Sequence, residues 1–203
     1  NGTNWMNAVL RDAPQQHHSL NFSGGSEKST YMVSGNIFTQ EGVVGGDKSR
    51  FQRYTLRLNS DHQIKKWIKV GNRFMYSHHK RRAISENDEF GSILGSALLL
   101  DPVTPLSYDN NNLPVHVQNA INSGKPLRTD ALGNIYGISN FLKGEYGNPL
   151  ARIDMAKGEN VQNKIVGNVF LELSPIKNLV FTSRFGVDAA FQTGHSWRPT
   201  FWF

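Results

Sequence analysis

The chain has 203 residues, 38% hydrophobic and 19% charged, with no Cys and a net charge of +6. That size allows one or two domains, and the missing cysteine excludes a disulfide scaffold, a thiol nucleophile and a Cys-based zinc site. Aromatic residues make up 11% and are spread along the chain, which excludes wholesale disorder.

Period-two alternation is the dominant pattern. His18 to Gly24 puts Leu20 and Phe22 together, and Ser29 to Thr39 sets Tyr31, Val33 and Ile37 against Thr30, Ser34 and Asn36. From Arg50 to His62, Phe51, Arg53, Thr55, Arg57, Asn59 and Asp61 oppose a mainly apolar face with Tyr54, Leu56 and Leu58. The next segment sets Ile68, Val70, Asn72, Phe74 and Tyr76 against Lys69, Gly71, Arg73 and Met75. Near the C-terminus, Val161 to Leu173 and Leu179 to Phe191 alternate in the same way. Six strands are predicted. Short turns are expected at Gly24–Glu27, Gln63–Lys66 and Ser174–Asn178, and a medium loop at Glu41–Ser49.

A long segment from about Lys80 to Glu159 separates the fourth and fifth strands. Ile84 to Leu100 can hold a short helix, but Gly95, Ser96 and Asp101 interrupt its apolar run, far short of the ~18 residues of a membrane helix. Asp101 to Pro105 is extended or turning, because two prolines forbid regular structure. Asp109 to Asn112 is a turn, Val115 to Ser123 a helical turn or two, and Gly144 to Leu150 loop. A segment of this length is expected to fold as a cap or binding surface.

Short turns at one end of the strands and long loops at the other suit an outer-membrane barrel. Leu56 and Leu58 would then meet lipid and Arg53, Arg57 and Asp61 a wet lumen, since arginine facing lipid costs roughly 2–4 kcal/mol at the midplane. A half-exposed soluble sheet is the competing reading, for which alternation is equally natural.

Familiar chemical motifs fail on inspection. Asp47 splits Gly46 from Lys48 and breaks a P-loop, and Arg198 stands where a nucleophile elbow needs its second Gly. His17–His18 and His78–His79 are adjacent pairs that point to opposite faces of a strand. Asp109 to Asn112 lacks the Gly and Glu of an EF-hand loop. No enzyme and no cofactor is expected. The basic run His78 to Arg82 falls at the outer rim of a barrel, where it would meet anionic outer-membrane lipid, a solvated strand exit being the bland alternative. The cations sit on strands, so no nucleic acid is expected.

Several stretches resemble the SusC/RagA family of TonB-linked outer-membrane transporters. They are Trp5, Ala13-Pro14-Gln15-Gln16-His17, Ser23-Gly24-Gly25-Ser26-Glu27-Lys28-Ser29-Thr30-Tyr31 and Val33-Ser34-Gly35-Asn36-Ile37-Phe38-Thr39-Gln40-Glu41-Gly42. Phe51 to Asn59, Lys66 to Gly71, Pro102 to Tyr108 and Gly147 to Ala151 continue the likeness. The resemblance implies an all-β fold, part of a transmembrane antiparallel barrel of about 22 strands, of which about six lie here, with a long extracellular loop region. Barrel strands and hairpins are expected over 1–79, the extracellular cap over 80–159, and a further hairpin leading to the next outer loop over 160–203. Six strands cannot close such a barrel, so the chain is expected to be an internal piece of a longer polypeptide.

The resemblance further implies import of oligosaccharides or oligopeptides, a SusD-like surface lipoprotein as partner, and the TonB machinery acting through a plug. Tyr108, Tyr136, Phe141 and Tyr146 are candidate ligand-stacking residues, with packing inside the cap as their other reading. Arg53, Arg57, Arg73 and Arg184 are the lumen-facing candidates, which would line a polar path or, as a filled lumen favours, pair with plug carboxylates. A soluble extracellular β-rich module binding carbohydrate or a polyanion is the alternative function.

Overall fold

The structure, a computed structural model, describes residues 2–84, 92–142 and 146–202. Six long strands form one antiparallel sheet: β1 (Gln15–Ser26), β2 (Ser29–Gly42), β3 (Gly46–Lys65), β4 (Ile68–Arg82), β7 (Lys157–Ile176) and β8 (Leu179–Trp197). Spatial order follows chain order, and the sheet is open, with β1 and β8 at its edges. The paired residues keep one register along most of each strand, with shifts at Glu41/Gly42, Gln63/Lys65 and Leu173/Ile176, near the strand ends. Phe22, Val33, Leu58, Phe74, Gly167 and Val187 share a row on one face, and Asn21, Ser34, Arg57, Met75, Val166 and Asp188 share the adjacent row on the other.

The connections are tighter than the turn residues suggest. The hairpins turn at Glu27–Lys28, Lys66–Trp67 and Lys177–Asn178, two residues each. Gly24 and Gly25 therefore belong to β1 instead of the turn expected there. They serve close packing: a Cβ at Gly24 would stand 2.5 Å from the Tyr31 hydroxyl, and one at Gly25 2.5 Å from the Ser29 carbonyl. The medium loop expected at Glu41–Ser49 is also corrected. Gly45 and Gly46, at φ 78° and 52°, fold the chain back sharply enough for the strands to run from Gly42 and into Gly46. β4 continues to Arg82 and β7 starts at Lys157, so the strands rise past the rim expected at residues 79 and 160.

The helices lie at the end of the sheet away from the two-residue turns. They are α1 (Trp5–Val9), α2 (Ile93–Leu99), α3 (Val115–Asn122) and α4 (Pro149–Met155), with a small pair β5 (Ser107–Tyr108) and β6 (Ile135–Tyr136). Asn4, Ser92 and Asn148 cap α1, α2 and α4 with their side-chain oxygens. The expected helix within Ile84–Leu100 is α2, though residues 85–91 lie outside the described ones, as do Gly144 and Glu145 of the expected loop. Part of that loop is instead α4, with Pro149 in its first turn. No helix among the described residues is long and apolar enough to cross a membrane.

The core sits in this cap. Trp5, Val9, Val44, Ile84, Ile93, Ala97 and Leu100 form one buried cluster, and Val117, Ile135 and Ile138 another. Among the described residues none of the buried apolar side chains comes from the six long strands. Their apolar face is bare instead: Phe22 is 60% exposed, Phe185 75% and Phe191 66%. A continuous uncovered face of this size demands an apolar partner.

Candidate functional site

The face opposite Leu56 and Leu58 carries the chemistry. Arg53, Arg57, Arg73 and Arg184 all lie on it by register, spread over β3, β4 and β8. Asp61 receives Arg73 at 2.6 Å and Lys69 at 3.4 Å. Arg73 also donates to the carbonyls of Ser60 and Asn72. Lys69, Arg73 and Arg184 stand 5.6–5.9 Å from the Phe170 ring centre, and Arg53 stands 5.7 Å from that of Phe38. Three cations around one ring are tolerable because the quadrupole and Asp61 offset part of their repulsion. Arg73 thus has a carboxylate on the neighbouring strand of the same sheet. Lys164 and Asp188 pair across β7 and β8 at 3.1 Å.

The cap is organised by two polar residues that sequence reasoning left out. The Asp101 carboxylate accepts from the Thr104 N–H at 2.8 Å, the Val103 N–H at 3.1 Å, the Thr104 hydroxyl and the Ser139 hydroxyl. Burial pushes its pKa up, but the hydrogen bonds from Ser139, Thr104 and Val103 outweigh this, and the group lies below its ordinary value of 3.8. The Trp5 indole donates to the Asp101 carbonyl at 2.9 Å, tying α1 to the cap. Asn148, 1% exposed, donates to the carbonyls of Leu106 and Gly137 while its oxygen caps α4. Asp before Pro with Thr three residues on is a local turn signal that could have found Asp101. Asn before Pro149 marks Asn148 locally as a helix cap, but nothing local marks its bonds to the Leu106 and Gly137 carbonyls, 42 and 11 residues away.

The four cap aromatics separate. Tyr108 is half-buried against Val117, Ile135 and Ile138, with its hydroxyl donating to the Ile138 carbonyl at 3.0 Å. Tyr136 pairs with Ser107 across β5 and β6 and is half-buried. Tyr146 is half-buried and Phe141 is 71% exposed. Burial pushes the phenols of Tyr108 and Tyr136 up. The basic run splits by alternation: His78, Lys80 and Arg82 project on the apolar side, His79 and Arg81 on the polar side.

Comparison with known proteins finds likeness in sequence and in fold. No family model matches the chain. It is 24% identical over 184 residues to TonB-dependent receptor P26 of Formosa agariphila, covering 91% of this chain and 16% of the receptor. It is 32% identical over 97 residues to TonB-dependent receptor P3 of the same organism, covering 48% of this chain and 10% of that protein. The fold matches structures of the RagAB peptide transporter at a TM-score of 0.68 and of the RagAB peptide importer in its closed-closed state at 0.70, each with 23% identity. Those matches cover 97% and 98% of this chain and 20% of the neighbour, so the chain spans a fifth or less of the proteins it resembles. The relatives are receptors and transporters, not enzymes. The chain is thus similar in sequence to TonB-dependent receptors over most of its length, and its fold matches one stretch of the RagAB structures.

Proposed function

We propose that this chain is part of the wall and outer cap of a barrel, of about 22 strands in all, that imports oligosaccharides or oligopeptides. The strands of residues 15–82 and 157–197 form wall, and α1 joins the segment between β4 and β7 in the extracellular cap. The observation that carries this reading is the two-faced sheet. Its six strands bare Phe22, Leu58, Phe185 and Phe191 on one side and array Arg53, Arg57, Asp61, Arg73 and Arg184 on the other. Such a sheet is stable only between hydrocarbon and a wet lumen. The uncovered apolar face disfavours a soluble module.

In this reading Arg53, Arg57 and Arg184 look into the lumen towards a plug, on which the TonB machinery acts. The cap meets a SusD-like lipoprotein, a pairing supported by the likeness to RagAB, and Tyr108, Tyr136, Phe141 and Tyr146 contribute to ligand contact. Import works through differential binding and gating, with no covalent chemistry in this stretch. The test is to purify the polypeptide containing this sequence from native outer membrane in detergent. A heat-modifiable protein about five times the length of this chain, copurifying with a lipoprotein and retaining a peptide or glycan, is expected. A species of this chain's length that stays monodisperse without detergent would overturn the reading.

A further inference from the structure

The exterior face changes character sharply above its aromatic belt. Tyr54, His78, Asn163 and Phe191 share one row, with the Asn163 amide oxygen accepting from the Tyr76 hydroxyl at 2.8 Å and lying 2.9 Å from the His78 ring. Four residues higher the row reads Glu41, Arg50, Arg82, Glu159 and His195, and above it stand Lys48, Lys157 and Trp197. At 3.3 Å per residue on tilted strands, that rim lies about 10 Å beyond the belt.

Its charges do not balance. Lys80 and Arg82 share the single carboxylate of Glu159, at 2.7 and 3.0 Å, and Glu41 is held by Arg11. Arg50 lies directly opposite Arg82, and its Nε is shut off from solvent without a hydrogen-bond partner. Like charges placed opposite one another repel unless an anion joins them. Lys48 and Lys157 have no carboxylate partner among the described residues, and the Lys157 ammonium lies 5.1 Å from the Trp197 ring centre. A cleft of about 350 Å³ opens between Lys48, Arg82, Lys157, Glu159, His195 and Trp197.

We infer that this cleft binds the phosphate of a phosphorylated lipid of the outer leaflet. The inference rests on the barrel reading, which puts the cap end outside. A cationic cleft alone would suit any anion. One that opens sideways, about 10 Å above a lipid-facing aromatic belt, suits an anion tethered to acyl chains that lie along the apolar face below it. Glu159 does not oppose this, because Lys80 and Arg82 already neutralise it. Trp197 supplies the amphipathic surface at the boundary between sugar or headgroup and hydrocarbon.

The test uses the intact transporter in detergent, incubated separately with monophosphoryl lipid A, its dephosphorylated form and inorganic phosphate, and read by native mass spectrometry. Retention of monophosphoryl lipid A about tenfold above the dephosphorylated form is expected, with that preference lost in Lys48→Gln/Lys157→Gln. Neither lysine holds an ion pair, so the double variant should fold; Arg82→Gln gives an independent second loss. Equal retention of the two lipids, an unchanged preference in the variants, or displacement by equimolar inorganic phosphate would each overturn the inference. Heat-modifiable migration of the same preparations reports on the barrel itself, so failure of lipid binding and failure of the barrel are read separately.

Discussion

Gly71 and Phe170 face each other across β4 and β7, and the Phe170 ring fills the space that a side chain at 71 would occupy. A Cβ there would fall 2.5 Å from the ring and 2.7 Å from the Asp61 carboxylate. The absence of one methyl group therefore lets an aromatic ring, a carboxylate and three cations converge on the polar face. Gly71→Ala should push Phe170 off its seat and cost about 1–3 kcal/mol by overpacking. A lowered temperature for loss of heat-modifiable migration would register it. An unchanged temperature would mean the ring relaxes freely and carries no structural weight.

Asp61 is the only carboxylate that Arg73 and Lys69 meet among the described residues, and it is partly solvated. Asp61→Asn keeps the shape and removes the charge. A loss of about 1 kcal/mol is expected, small because water screens the pair. The loss should shrink in high salt, and a salt-independent deficit would point to lost packing instead.

Leu58 and Arg57 are neighbours in sequence with opposite fates. Leu58 shares its row with Val33 and Phe74 on the bare apolar face, whereas Arg57 shares one with Ser34 and Met75. Leu58→Arg should cost about 2–4 kcal/mol and sharply reduce assembly in membranes, while Arg57→Leu should assemble normally. Measuring folded barrel in outer-membrane fractions separates the two. The opposite ranking would reverse which face meets lipid.

This last contrast also shows what the sequence made legible. Alternation through Arg53, Arg57 and Asp61 against Tyr54, Leu56 and Leu58 sets faces and register without any tertiary information, because strand side chains repeat every two residues. Turn positions were less legible. Gly24-Gly25 reads as a turn, yet both glycines are there because Tyr31 and Ser29 crowd the strand. The cap was least legible. α1 has five residues, too few to show a helical period, and α4 starts beside a segment rich in Gly and Asn. Arg73 pairs within the sheet because its neighbour in the β3–β4 register, not its own strand, places Asp61 beside it.

The Asp101 knot predicts a pH response in the cap. Its folded pKa lies below the ordinary 3.8, so ionised Asp101 stabilises the cap at neutral pH. That contribution is fully present above the unfolded value and is lost as pH falls from the ordinary carboxylate range through the lower folded one. Protection from hydrogen exchange at Val103, Thr104, Phe141 and Leu142, measured against the intrinsic rate at each pH, should fall across that window in the wild type. Asp101→Asn should exchange faster at neutral pH and show a flatter response. Parallel profiles for the two proteins would dismiss the knot as the titrating element.

Tyr108 and Phe141 test the roles of the cap aromatics against each other. The Tyr108 hydroxyl donates to the Ile138 carbonyl and its ring packs on Val117, whereas Phe141 is 71% exposed. Tyr108→Phe leaves the ring and removes the hydrogen bond, so the cap should lose about 1 kcal/mol. Phe141→Ala removes little buried area, and stability should stay within about 0.5 kcal/mol of wild type. Ligand retention by the intact transporter then divides the two functions. If Phe141 is a stacking surface, its alanine variant should weaken retention by about fivefold or more with stability unchanged. Retention unaffected by Phe141→Ala but lowered by Tyr108→Phe would move ligand contact away from the exposed rim. It would place that contact at the half-buried edge of the Val117 cluster, where Tyr108 meets His116 edge-on at 6.2 Å.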